Sequence, residues 1–241
     1  MSTELVLLPL GVIVGALTQR ITGIGFALVC APLLVLVAGP YEGVVLANLL
    51  SLTVSLAVFV VSWREVDWST GLLLAIPALL TIPVGAYVSR TVPPAPLMVV
   101  IGLLVIAALG AVVLSERARI VRGRWGAIAA GAASGFMNVT AGVGGPAIVL
   151  YSVSTRWDHR RFVVTFQFYS IIVNLASLLA KGGLPRVSAA ALVASFVALG
   201  VGLAAGELLA RRVNHELARH LAIGLALAGS VFTVVKGALA W

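Results

Sequence analysis

The chain has 241 residues, 61% of them hydrophobic and only 10% charged, with a mean hydropathy of +1.14. A soluble domain of that length needs a coat of about 25% Asp, Glu, Lys and Arg, so the composition excludes a soluble enzyme or binding domain and requires an integral membrane protein. The net charge of +8 does not point to nucleic acid, because the basic residues fall in short loops between apolar runs, where cytoplasmic arginines collect.

The first apolar run begins at Leu5. Its only preceding charge is Glu4, and no small-residue cleavage site follows, so it reads as part of the mature fold and not as a secretory signal. Further apolar segments read at about 43–62, 70–89, 96–114, 126–152, 162–180, 188–209 and 217–240. A span needs about 20 mainly apolar residues, and six of the eight segments are ordinary spans by that measure. The two that open each half of the chain, 5–38 and 126–152, are not. Thr18 to Gly25 is poor in helix formers, and the second run is interrupted between Asn138 and Pro146. Glycine costs about 1 kcal/mol and proline about 3 kcal/mol in a helix interior, so neither run is expected to be one unbroken helix. Irregular backbone at membrane depth requires surrounding protein or a water-filled cavity. Each opening segment is therefore one broken span or a hairpin that returns to the side it came from.

Counting basic residues separates the two. If each opening segment crosses once, eight basic residues fall on one side and seven on the other. If each returns, one side receives Arg64, Arg117, Arg119, Arg122, Arg124, Arg156, Arg160, Arg161, Arg211, Arg212 and Arg219. The other keeps Arg90, Lys181, Arg186 and Lys236, with Arg20 inside the membrane in both counts. Eleven against four fits the positive-inside rule, and predicts re-entrant hairpins with both termini outside.

The chain also repeats itself. Gly15–Ala27 is a weaker copy of Ser134–Pro146 in a register of 119, which places Gly23 on Gly142, Gly25 on Gly144, Gln19 on Asn138, Asn48 on Gln167 and Ser51 on Ser170. Three crossings per half is an odd number, so the second copy enters the membrane inverted, as in many secondary transporters with midplane sites built from broken helices. The predicted architecture is all-α and polytopic: two inverted repeats, 1–114 and 126–241, each a glycine-broken re-entrant hairpin plus three spans, joined by a basic cytoplasmic loop at 115–125.

No enzyme constellation is present in the sequence. His159, His215 and His220 lie in or beside basic loops without carboxylates or Cys30 at metal-ligand spacing, and Gly142-Val-Gly-Gly-Pro146 lacks the Lys-Ser/Thr of a phosphate loop. Neither a metal, a cofactor nor catalytic residues are expected. What remains is an anion cradle. The helix beginning after each break has free N–H groups and about half a positive charge at its N-terminus, and glycine lets a ligand approach the backbone. Candidate binding residues are Gly23 and Gly25 facing Gly142, Gly144 and Gly145, flanked by Gln19, Thr22, Asn138 and Thr140. Asn48 and Ser51, and Gln167, Ser170 and Asn174, share one helical face within their segments. The competing reading is that such small polar residues only join helices together. Arg20 is a charge at membrane depth without an obvious acid beside it; Glu207 is the nearest in type. It is expected either to meet an anionic ligand or to reach the interface.

The repeated glycine breaks with a following proline, Gly23-Ile-Gly25 through Pro32 and Gly142-Val-Gly-Gly-Pro146, resemble those of the TauE/SafE family of sulfite-exporter-like permeases over essentially the whole chain. The first copy departs by carrying Phe26 where the second has Gly145. The resemblance implies export or exchange of a small sulfur-containing oxyanion, sulfite or an organosulfonate such as sulfoacetate, across a bacterial inner membrane. The expected partners are a small anionic substrate and the lipid bilayer, without nucleic acid; whether the chain forms a homodimer is open. Without a nucleotide motif, the driving force is a gradient or exchange. A passive anion channel and a non-transporting assembly subunit are the alternatives.

Overall fold

A computed structural model describes residues 3–22, 26–114, 122–210, 212–213 and 215–240. Among them there are no strands. The helices are α1 (Thr3–Thr22), α2 (Phe26–Ser62), α3 (Trp68–Thr91), α4 (Pro94–Leu114), α5 (Gly123–Ala141), α6 (Gly145–Thr155), α7 (His159–Lys181), α8 (Ala189–Ala210) and α9 (His215–Leu239). The six segments read as ordinary spans correspond to the second part of α2 and to α3, α4, α7, α8 and α9.

Both opening segments fold back on themselves. In the first, Gly11 of α1 packs against Leu33 and Gly15 against Cys30 of α2, so the two run antiparallel. In the second, the Arg122 Nε before α5 donates to Ser154 O near the end of α6 at 3.0 Å, which brings both ends to one end of the bundle. Their lengths differ. α5 has 19 residues and α6 only 11. α1, by contrast, runs for 20 residues, about 30 Å, and is itself long and apolar enough to span a membrane, one of seven such helices among the described residues.

The breaks are narrower than the sequence suggests. α1 stays helical through Thr18–Thr22, where it is packed along α8; the Thr18 hydroxyl turns back to Val14 O and Gly15 O of its own helix. α5 likewise continues through Asn138 and Thr140 to Ala141, leaving only 142–144 irregular. α2 has a break that the glycine pattern does not announce: Gly39 sits at φ 85° and ψ 168° before Pro40, dividing the helix into an arm that packs on α1 and a full span. A side chain rarely tolerates that φ.

The opening helices pack on the opposite halves of the chain, α1 along α8 and α5 along α3. Two apolar cores result. One gathers α1, α2, α4, α8 and α9 around Leu34, Leu46 and Ile101; the other gathers α3, α5, α6 and α7 around Leu74, Ile148 and Tyr169. The 142–144 break lies on the seam, with Ala141 and Val143 in the first core and Val139 and Ile148 in the second.

Charged residues mark the two ends of the bundle. Arg160 pairs with Glu65 at 2.5 Å, at the end where Arg122 meets Ser154. At the other end, Arg90 donates to Ala180 O, the Arg186 N–H to Glu42, and Lys236 to Leu36 O.

Candidate functional site

The polar residues of the seam form one buried network. Asn138, 7% exposed, donates through Nδ2 to Asn174 Oδ1 and to Ser177 Oγ, each at 3.1 Å. Asn174 donates onward to Ser170 Oγ at 2.9 Å. From the other side of the seam, Asn48 Nδ2 reaches Asn138 O at 3.3 Å. Ser134, one turn before Asn138, donates to Gly144 O at 2.7 Å and so ties α5 to the first turn of α6. Four elements converge here, since α2 supplies Asn48, α5 supplies Ser134 and Asn138, α7 supplies Ser170, Asn174 and Ser177, and α6 begins at Gly145.

The break itself is a helix end followed by a helix start. Gly142 takes the left-handed conformation, φ 74°, and its N–H returns to Asn138 O at 2.9 Å, while the Val143 N–H reaches Met137 O at 3.4 Å. Those two donors are consumed in closing α5 and are not free for a ligand, which corrects the expectation for Gly142. The free donors belong to Gly144, Gly145 and Ala147, because the first N–H groups of a helix have no carbonyl one turn back and Pro146 has no N–H. Gly144 must be glycine for space: a Cβ there would lie 2.7 Å from Ser134 Oγ and 2.8 Å from Ser134 O.

Two polar atoms at this seam are buried without a hydrogen-bond partner among the described residues, Asn48 Oδ1 and Ser51 Oγ. Gly142 stands beside the first, since a Cβ there would lie 3.8 Å from Asn48 Oδ1. Buried polar groups are almost always satisfied, and each unmet one costs about 1–3 kcal/mol, so these atoms mark the place where a polar ligand or water would complete the network. The Tyr169 hydroxyl is a further buried group without a well-formed hydrogen bond, beside Ser134.

Other residues anticipated from sequence are placed differently. Thr140 gives its hydroxyl to Phe136 O in its own helix at 2.6 Å, so it has no proton left for a ligand. Gln167 lies half-buried on the same α7 face as Ser170 and Asn174. Gln19 is half-buried on α1, with its Oε1 unpartnered. Gly23 and Gly25 lie outside the described residues, as does the side chain of Thr22, the last residue of α1. Arg20 is the clearest correction. It is not an unpaired charge: its guanidinium is bonded to Glu207 on α8, with the arginine side chain 53% exposed. Side by side on neighbouring helices, the two neutralise each other away from the Asn138 network, and the fixed positive charge expected from Arg20 is already spent.

Ser134, Ser177 and Tyr169 were not anticipated. Ser134 and Ser177 could have been found, since each sits one helical turn from a residue already singled out, Asn138 and Asn174. Tyr169 carried no signal. The cavity between α1 and α8, about 700 Å³ and lined by residues such as Pro9, Ile13 and Val197, is wholly apolar and has nothing to orient an anion.

Seven helices of membrane length among the described residues, with a buried polar seam at a helix break, are the architecture of a multi-pass membrane protein. The family described as sulfite exporter TauE/SafE matches residues 7–233. The chain belongs to the TauE/SafE family. No curated protein and no solved structure matches it.

Proposed function

We propose that this protein is a secondary transporter that exports or exchanges a small sulfur-containing oxyanion, sulfite or an organosulfonate, across the bacterial inner membrane. The observation that carries this reading is the start of α6, whose free N–H groups open beside the buried Asn48–Asn138–Asn174 network and the unpartnered Ser51 hydroxyl, inside a chain of the TauE/SafE family. The anion would lie against the free N–H groups of Gly144, Gly145 and Ala147, with the Ser51 hydroxyl and the second Asn48 Nδ2 proton completing its shell. The site is neutral apart from the helix end, which suits an ion that must also leave. Asn138 has both amide protons committed and acts as the post that holds Asn174 and Ser177 in place.

Two inverted repeats with re-entrant hairpins give this site its setting. Supporting that topology are the antiparallel α1–α2 and α5–α6 pairs and the gathering of Arg90, Lys181, Arg186 and Lys236 at one end of the bundle. Single cysteines replacing exposed Arg161 and Arg186, in a Cys30→Ala background, test it. An impermeant thiol reagent added outside intact cells should label position 186 and spare 161; external labelling at 161 restores the eight-span arrangement.

The test of function is uptake of radiolabelled sulfite into proteoliposomes. Transport should be saturable and accelerated by unlabelled sulfite on the far side. Uptake without acceleration would identify a channel, and no uptake of sulfite or sulfoacetate would leave an assembly subunit as the better reading.

A further inference from the structure

The polar face of α7 does not end at the seam. Gln167, Ser170, Asn174, Ser177 and Lys181 follow one another at helical spacing, and Lys181 closes the helix about 10 Å beyond Asn174. Lys181 is only 5% exposed, and its Nζ has no hydrogen-bond partner among the described residues. The ammonium sits over the ring of Tyr41, 4.5 Å from the centroid, and the Tyr41 hydroxyl donates to Lys181 O at 2.6 Å. Tyr41 occupies the same face of α2 as Asn48, two turns away. The α2 and α7 faces that meet in the central network therefore also meet at the bundle's end.

The charges around this end favour an anion. Glu42 is the acid whose field reaches Lys181, and Arg90 opposes it; Glu42 already accepts the Arg186 N–H at 2.7 Å. An ammonium taken out of water without an acceptor is strongly disfavoured, and an aromatic face restores only part of the loss. We propose that Lys181 is a second anion-binding residue, at the end of the bundle opposite the Arg160–Glu65 pair, which takes a small oxyanion as its missing partner when the Tyr41 ring moves aside. The joint for that movement is at hand: Gly39, two residues before Tyr41, breaks α2 in the left-handed region, and nothing lies within 4 Å of where its side chain would be. Ser177, between Lys181 and Asn174, would pass the ion between the two sites. This rests on the reading that the chain moves such an anion.

The experiment is calorimetric titration of the purified full-length protein with sulfite, comparing wild type, Lys181→Met and Glu42→Gln. Lys181→Met should bind sulfite about ten-fold or more weakly, the loss expected of one charge-assisted hydrogen bond, while melting without ligand at or above the wild-type temperature because an apolar chain of similar shape replaces a buried charge. Glu42→Gln should bind several-fold more tightly, having lost the acid that competes for the ammonium. Wild-type affinity in Lys181→Met overturns the assignment and leaves the transporter reading standing. Unchanged or weaker binding in Glu42→Gln overturns it too, because removing an acid beside a binding ammonium must strengthen its hold on an anion, and decides the matter alone if Lys181→Met cannot be recovered folded. A wild type that binds no sulfite removes both readings together.

Discussion

The crossings of α5 on α3 and of α1 on α8 both close on glycine. A Cβ at Gly131 or Gly135 of α5 would lie 2.2 or 2.3 Å from the backbone oxygens of Leu74 or Ala78. At Gly202 and Gly206 of α8, the nearest atoms are the side-chain Cβ atoms of Ala16 and Arg20, each 2.7 Å away. The first crossing is backbone against backbone, and in the second the nearest atoms are side-chain Cβ atoms. The polar residues next to the two crossings differ more. Beyond Gly131, α5 carries Ser134 and Asn138 into a buried network of neutral amides and hydroxyls; beyond Ala16, α1 carries Arg20 to an exposed ion pair with Glu207. Glycine contact is thus the shared means of joining the halves, as expected where lipid tails offer no hydrophobic drive for helix association. The chemistry resides in the neighbouring polar side chains, and only the α5 crossing leads directly to them in buried form.

Filling the two crossings in turn should separate them most clearly. Gly131→Ala should cost about 3 kcal/mol or more, the upper range for overpacking, because a carbonyl in a helix backbone cannot step aside. Gly202→Ala should cost about 1–2 kcal/mol, since the smaller misfit can be relieved by a slight separation of α1 and α8. Thermal unfolding in detergent measures both, and equal losses would show that the crossings are alike after all.

A stability loss of the same order, joined by a large loss of transport, is expected from Asn138→Ala. It removes both donors from Asn174 Oδ1 and Ser177 Oγ, at about 1–3 kcal/mol for each group left unmet, offset by whatever water enters. Sulfite transport in proteoliposomes should fall at least ten-fold because Asn174 and Ser177 lose their post. Asn138→Asp, which keeps the shape but loses the donors, should not restore it. Unchanged transport in Asn138→Ala would separate the network from the transport path.

The least effect should come from Arg20→Gln. An ion pair this exposed contributes about 0–1 kcal/mol, and its charge is already matched by Glu207, so sulfite affinity by calorimetry should stay within about two-fold of wild type. A ten-fold loss would return Arg20 to the binding site and make the two halves chemically equivalent.

Some of this was legible from the order of residues alone. Membrane insertion followed from composition, because burying so many apolar side chains without a charged coat leaves lipid as the only solvent that fits. The six ordinary spans followed from the length a bilayer requires. Counting charges set Arg90, Lys181, Arg186 and Lys236 in one group, and their contacts with Ala180, Tyr41, Glu42 and Leu36 bring these four to one end. The polar faces of α2 and α7 were readable because helical spacing is local. Tertiary structure decided the rest, since those facts depend on residues far apart in the chain. Helix propensity would have ended α1 before Thr22 and α5 before Thr140, but packing against α8 and α3 outweighs the penalty of up to about 0.7 kcal/mol per unfavourable residue. The partner of Arg20 is 187 positions away, and no local pattern could choose Glu207 over an anion. Nor could spacing tell that Gly142 would spend its N–H on Asn138 O, that Asn48 would be left with an unmet oxygen, or that Lys181, read from sequence as a loop cation, would be buried beneath Tyr41. Whether a polar group is satisfied is a property of its surroundings, and those exist only once the helices have met.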